Sequence, residues 1–319
     1  MTPPRLSVLV PATRGGDLLR QALDSVLTQD FGDFELLVSD DSRDRAVRDT
    51  VEAIADPRLK LLEGPRAGQV ANTAFLWEQA QGELIKYLHD DDYLLPGALA
   101  ALIKPLDDLP HASFTFVQRR LLHGDGRLVG DAPELRPRIY SEDAVGKDLL
   151  GGAHNPIGEP TCSMFRRTSL EGVGDYDGFP IRSLIDLAMY LKAVERGPCV
   201  GVHRYLAVVR LHAEQFSKVS PERSAGVTEW ELLIRLELKR GRLPSDVALR
   251  GVERLLTFYR LYQTRWEDVA LLLPGLEVLA QDLGAERERD YLEPAFLQAW
   301  ARAGAIIEAR KAAGPPRTA

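Results

Sequence analysis

Between Leu6 and Leu106 the chain alternates four times between a short apolar run and a segment of helical period, and few folds accommodate that order. Leu6-Ser7-Val8-Leu9-Val10, Phe34-Glu35-Leu36-Leu37-Val38, Leu59-Lys60-Leu61-Leu62 and Leu84-Ile85-Lys86-Tyr87-Leu88 read as strands. Asp17 to Leu27, Arg45 to Ala55, Gln69 to Gln81 and Pro96 to Leu106 read as the helices that follow them. Strands that are apolar along nearly their whole length belong to a parallel sheet covered on both faces, joined by right-handed crossovers. The fold class is therefore α/β with a Rossmann-like sheet.

Beyond the fourth unit the pattern changes. Phe114 to Val117 predicts a strand, Gly124-Asp125-Gly126 a hairpin turn, and Gly151 to Gly158 a glycine-rich loop. Thr161 to Phe165 reads as a strand, Leu184 to Glu195 as an amphipathic helix, and Val200 to Arg210 as two short strands. From Glu222 onward helical periods dominate, over Trp230 to Lys239, Asp246 to Tyr262, Trp266 to Leu283 and Glu293 to Arg310. A boundary near Pro221 divides the chain into an α/β domain, 1–220, and a helical C-terminal region, 221–319.

In open α/β sheets ligands bind at the carboxyl ends of the strands, and here those ends carry Pro11-Ala12-Thr13, Asp40-Asp41 and His89-Asp90-Asp91-Asp92. Two acidic clusters on one rim repel each other unless a cation compensates them. An acidic cluster after a strand can also do no more than cap the next helix, and Pro96 does look like a helix start. Neither glycine-based phosphate cradle occurs, Gly15-Gly16 being a weak echo, so a diphosphate held here needs Mg2+ or Mn2+ to neutralise it. Such an ion also acts as a Lewis acid on a departing diphosphate, which leaves one further carboxylate to deprotonate an attacking hydroxyl. Asp186 is the candidate for that base, although an Asp in the first turn of a helix is favoured by the helix dipole in any case.

Composition removes some partners. Lys+Arg 40 against Asp+Glu 47 gives a net charge of -7, which argues against a broad basic surface for nucleic acid. Cys162 and Cys199 sit in apolar surroundings far apart in sequence and read as free buried thiols. The N-terminus lacks the pattern of a signal peptide, and the most apolar span, Val269 to Ala280, is broken by Pro274 and Gly275, so the expected location is cytoplasmic or peripheral to a membrane.

Ser7-Val8-Leu9-Val10-Pro11, Ala22 to Gln29, Phe34 to Ser42 and Gly82 to Asp92 together resemble family 2 glycosyltransferases with the GT-A fold. So do Gly158-Glu159-Pro160-Thr161, Phe165-Arg166-Arg167 and Arg210-Leu211-His212, in order, further along. The resemblance implies that Pro11 and Thr13 border the nucleotide and that Asp41 accepts a hydrogen bond from base or ribose. It implies that Asp90 faces the ribose, that Asp91 contacts a metal ion with Asp92 in support, and that His212 touches metal or diphosphate. Asp186 becomes the base of an inverting transfer from a nucleoside-diphosphate sugar, often UDP-linked, to a hydroxyl acceptor, and Glu159 a residue that orients the acceptor or bonds to nearby backbone. The chain departs from the common pattern at Thr13, Arg14, Ser42, His89 and Ile185. The C-terminal helices carry no resemblance of this kind and are open to acceptor binding, a partner, or a second copy of the chain.

Two rival readings stand beside this one. A nucleotidyltransferase on a similar sheet would favour a basic, glycine-rich loop after the first strand, of which Arg14-Gly15-Gly16 is the only trace. A non-catalytic module retaining the fold would bind sugar or protein without turnover.

Overall fold

The computed structural model describes residues 3–123, 125–131, 138–211 and 220–313. The four expected strand–helix units form as β1 (Leu6–Ala12), α1 (Asp17–Leu27), β2 (Phe34–Asp40), α2 (Ala46–Glu52), β3 (Leu59–Glu63), α3 (Gln69–Gln79), β4 (Leu84–Tyr87), the two-residue β5 (Tyr93–Leu94) and α4 (Ala98–Asp108). β6 (Phe114–His123) and β7 (Leu128–Asp131) make the expected hairpin, followed by β8 (Arg138–Tyr140), α5 (Glu142–Gly152), a 3-10 turn over Pro160–Cys162 and β9 (Ser163–Arg166). β10 (Asp175–Tyr176) pairs with β11 (Phe179–Pro180), then come α6 (Ile185–Val194), β12 (Cys199–Leu211) and four long helices, α7 (Ser220–Lys239), α8 (Ser245–Tyr262), α9 (Glu267–Gly284) and α10 (Pro294–Ala313).

The main sheet runs β3-β2-β1-β4-β9-β6-β12-β5, with β7 on β6 and β8 on β12. β1 lies between β2 and β4 and pairs parallel with both, which is why every residue of the strand except Pro11 is buried. α1 lays Leu19, Ala22, Leu23 and Val26 on this sheet, the stripe its sequence period predicts. The sheet is not parallel throughout: β9 inserts antiparallel between β4 and β6, so the parallel arrangement expected from the first four units ends at β4.

α5 and β12 differ from the sequence reading. α5 occupies Glu142–Gly152, where the glycines of its last turn had suggested that a loop begins. β12 is one strand of 13 residues rather than two, its pairing with β6 shifting register between Val202 and Ala207, where the polar His203-Arg204 interrupts the apolar run. α9 runs through Pro274, as the helical period over Trp266 to Leu283 predicts.

The chain resolves into two compact units. The first takes the described residues up to Glu142 with Pro156–Asp175 and 189–211; the second takes Asp143–Asn155, Tyr176–Ala188 and 220–313. Where the sequence reading placed one cut near residue 220, the second unit also draws in two earlier segments, one of them the start of α6. No described helix is long and apolar enough to cross a membrane. Cys162 and Cys199 are buried free thiols.

Candidate active site

Strand order decides where the first unit can bind a ligand. From β1 the chain moves outward through β2 and β3, then returns to β4 on the other side of β1, so the connections leaving β1 and β4 part in opposite directions and open a crevice at their carboxyl ends. Asp90 spans the two exits. Its Oδ2 accepts the backbone N–H of Thr13 at 2.9 Å and of Arg14 at 3.2 Å. Burial raises the pKa of this carboxyl, the Thr13 amide opposes that, and the neighbouring Asp91 adds to it. Asp90, expected at the ribose, thus commits one oxygen to the loop after β1.

Asp91 and Asp92 follow with different surroundings. Asp91 Oδ2 lies 3.4 Å from Arg14 Nη2, and the Asp91 carbonyl accepts the Arg210 guanidinium. Asp92 is 1% exposed and held on both oxygens, Oδ2 by the Thr161 hydroxyl at 2.7 Å and Oδ1 by the Arg210 backbone N–H at 3.0 Å. His89 Nδ1 stands 3.5 Å from Asp92 Oδ2. Burial by itself would lower the His89 pKa, but the hydrogen bond and charge of Asp92, then the charges of Asp91 and Glu159, raise it to about 9. Mutually repelling carboxylates are therefore compensated from three directions, by Arg14, Arg210 and protonated His89.

One donor atom from each of His89, Asp91 and Asp92 lies within 4.8 Å of the others. Two carboxylates and an imidazole suit a small divalent ion, and the nitrogen donor inclines the set toward Mn2+ over Mg2+. The residues present therefore fit the ion that the sequence called for, with His89, Asp91 and Asp92 each placing one ligand atom in the group. His89 is a gain over the sequence reading, where it was only a departure from the common pattern. His212, expected at the metal or diphosphate, lies outside the described residues.

The surrounding strands explain how the cluster is held. Lys86 is fully buried in β4 and donates to the carbonyls of Tyr87 at 2.7 Å, Pro160 at 3.3 Å and Thr161, so it ties β4 to the turn that presents Thr161 to Asp92. Arg210, at the end of β12, stacks over Tyr93 at 4.9 Å and reaches Gln21 on α1 as well as Asp91. Neither role was legible in the sequence. Glu159, just before the same turn, pairs with Arg119 of β6 at 2.9 Å.

Pro11 and Asp41 meet the same rim from β1 and β2. Pro11 pairs across to Ser39, and the Asp41 backbone N–H donates to Ala12 at 2.9 Å. The Asp41 carboxylate accepts the backbone N–H groups of Arg66 and Gly68, the latter at 3.3 Å, and so shapes the loop ahead of α3. Gly15 has a different task from holding phosphate: a Cβ there would lie 2.0 Å from the Ala46 carbonyl, so the residue is needed for close packing on α2.

Asp186 belongs to the second unit, in the first turn of α6, and its Oδ2 accepts Asn155 Nδ2 at 2.8 Å. Asn155 fixes the direction of the carboxylate, a contact between residues too far apart in sequence to anticipate.

Comparison with known proteins agrees with the geometry. The family model described as "Glycosyl transferase family 2" matches residues 7–174. A Mycobacterium tuberculosis relative, uncharacterized protein MT1568, is 33% identical over 216 residues, 65% of this chain and 67% of that protein. GalNAc(5)-diNAcBac-PP-undecaprenol beta-1,3-glucosyltransferase of Campylobacter jejuni is 37% identical over 109 residues, 33% of this chain and 35% of the enzyme, so the match spans about a third of its length. Among solved structures, S. aureus TarS 1-349 superposes with a TM-score of 0.63 over 98% of this chain and 93% of that chain at 15% identity. Its complex with UDP-GlcNAc gives 0.58 over 94% and 92%, at 16% identity. At such identities the likeness speaks for the fold, which is GT-A with C-terminal helices. The family model covers more than half of the chain, from Ser7 to Gly174, and on that match the chain belongs to glycosyltransferase family 2.

Proposed function

We propose that this glycosyltransferase moves a sugar from a nucleoside-diphosphate donor, with UDP as the nucleotide, to a hydroxyl acceptor, with inversion at the anomeric carbon. The observation that carries the reading is the meeting of His89, Asp91 and Asp92 at the parting of β1 and β4. Thr13 and Pro11 border the nucleotide, and Asp41 orders the 66–68 loop against which base and ribose lie. His89 and Asp91 hold Mn2+ or Mg2+, Asp92 orients His89, and the ion when bound supplies Lewis-acid stabilisation of the departing diphosphate.

Asp186 takes the proton of the acceptor hydroxyl. The acceptor oxygen forms its bond to the anomeric carbon as the bond from that carbon to the diphosphate oxygen breaks, and the electron pair leaves with the nucleoside diphosphate. Asn155 keeps the receiving oxygen aimed. The TarS complexes with UDP-GlcNAc and UDP support UDP as the nucleotide, and the undecaprenol-linked substrate in the Campylobacter enzyme's name supports an acceptor in bacterial surface polysaccharide or glycoconjugate assembly. A cytoplasmic site, peripheral to the membrane, suits such an acceptor; self-association through the C-terminal helices belongs to the same proposal. Gly15, used for packing on α2, weighs against a nucleotidyltransferase.

The test is donor turnover across UDP-, GDP- and dTDP-sugars with Mn2+ or Mg2+, for the wild type and Asp186→Asn. Expected is metal-dependent release of UDP by the wild type and a loss of at least about 10²-fold in kcat for Asp186→Asn, with donor affinity retained. Full turnover by Asp186→Asn removes it as the base, and turnover unaffected by chelation removes the metal.

A further inference from the structure

The start of α6 is held in an unusual way. Its N-cap is Leu184, whose carbonyl accepts the first intrahelical bond from Ala188 at 3.1 Å and whose side chain has no oxygen with which to cap. The residues that lead into the helix are held instead by a carboxylate on another helix. Glu229 of α7, 1% exposed, receives three successive backbone N–H groups: Arg182 on Oε1 at 2.6 Å, and Ser183 and Leu184 on Oε2 at 2.9 Å each. Burying a carboxylate is costly, and a fork of three amides offsets that cost only in this one placement of residues 182–184.

Other contacts within the second unit fix the same segment. A Cβ at Gly226, one turn before Glu229 on α7, would meet Ser183 Oγ at 3.2 Å and Leu184 Cδ2 at 3.6 Å, so the helix backbone lies close against the segment. From α10, Glu308 takes Arg182 Nε at 2.9 Å, and Trp300 lies under the Arg182 guanidinium at 5.4 Å. Asp186 follows Leu184 by two residues, inside the turn these contacts define.

We infer that Glu229 is a positioning residue for glycosyl transfer: by gripping the backbone of residues 182–184 from α7, it sets the location of the Asp186 carboxylate. The inference rests on the reading of Asp186 as base, and gives α7 and α10 a share in catalysis without contact to substrate. A displacement of about 1 Å in a reacting group is enough to cost on the order of 10²-fold in rate.

The experiment measures kcat, donor KM and donor affinity by calorimetry for Glu229→Ala, Glu229→Gln and Asp186→Asn in the full chain. Expected is a fall in kcat of about 10²-fold for Glu229→Ala, with donor KM and affinity within about twofold, and partial recovery in Glu229→Gln, whose carbonyl still accepts. Glu229→Gln keeps the question decidable should Glu229→Ala fold poorly. If Asp186→Asn is inactive while Glu229→Gln and Glu229→Ala turn over like the wild type, the positioning role is overturned and the base reading survives. Donor affinity falling in parallel with kcat also overturns it, because that marks a general loss of structure. Full turnover by Asp186→Asn overturns both.

Discussion

The backbone N–H of Thr13 donates to Asp90 Oδ2 across 2.9 Å, so the exits of β1 and β4 are tied by a buried carboxylate. On the proposed reading Asp91 and His89 act on the ion, while the first aspartate of the acidic run acts on the protein. Removing it separates these functions. In Asp90→Ala two amides lose their acceptor, at a cost of about 1–3 kcal/mol, and the 13–14 loop is freed from the cluster. Urea unfolding should show that loss, and calorimetry should show UDP binding in Mn2+ weakened by roughly tenfold, about 1.4 kcal/mol. Unchanged UDP affinity in a destabilised variant would confine Asp90 to the fold.

Lys86 makes the second prediction. Its ammonium serves the carbonyls of Tyr87, Pro160 and Thr161 at full burial, and Thr161 in turn holds Asp92. Lys86→Met fills similar space but leaves three carbonyls without that donor, so a stability loss of about 2–4 kcal/mol is expected. Because the 160–162 turn would shift with it, metal affinity should fall as well. Equilibrium unfolding and Mn2+ titration measure the two effects; a variant as stable as the wild type would mean that water replaces the amine.

How much of this was legible in the sequence follows from the range of each interaction. β1, β2 and β4 announced themselves because a central strand buried on both faces is apolar residue by residue, and the rim followed from strand polarity alone. Asp91 and Asp92 came with it. Lys86 looked like an interruption in an apolar run, since two of the three carbonyls it serves lie more than seventy residues on. Arg210 was visible only as part of a motif, its partners Asp91, Asp92 and Gln21 being on two other segments. Glu229 carried no signal at all: a carboxylate that takes backbone N–H groups from another helix has no fixed spacing, whereas a local Ser or Asp cap does. Nor did anything local announce β9 between β4 and β6, because strand order is decided by packing among distant segments.

The last prediction concerns pH. His89 titrates near 9 in the metal-free protein, held above its ordinary 6.5 by Asp92 and Asp91 against the effect of burial. Between those values the folded protein keeps a proton that the unfolded chain has released, so this group's contribution to stability is complete below about pH 6.5 and is lost as pH rises through about 9. Metal binding runs the opposite way, because an imidazole nitrogen that binds an ion must give up its proton. Mn2+ affinity should therefore rise from pH 6.5 toward 9, with proton release detectable as a dependence of the calorimetric enthalpy on buffer ionisation. In His89→Gln both trends should flatten, the metal-free stability curve losing its decline above pH 6.5 and Mn2+ affinity becoming nearly constant over the interval. A His89→Gln protein with the wild-type pH dependence of Mn2+ affinity would exclude His89 as a ligand and leave Asp91 and Asp92 to hold the ion.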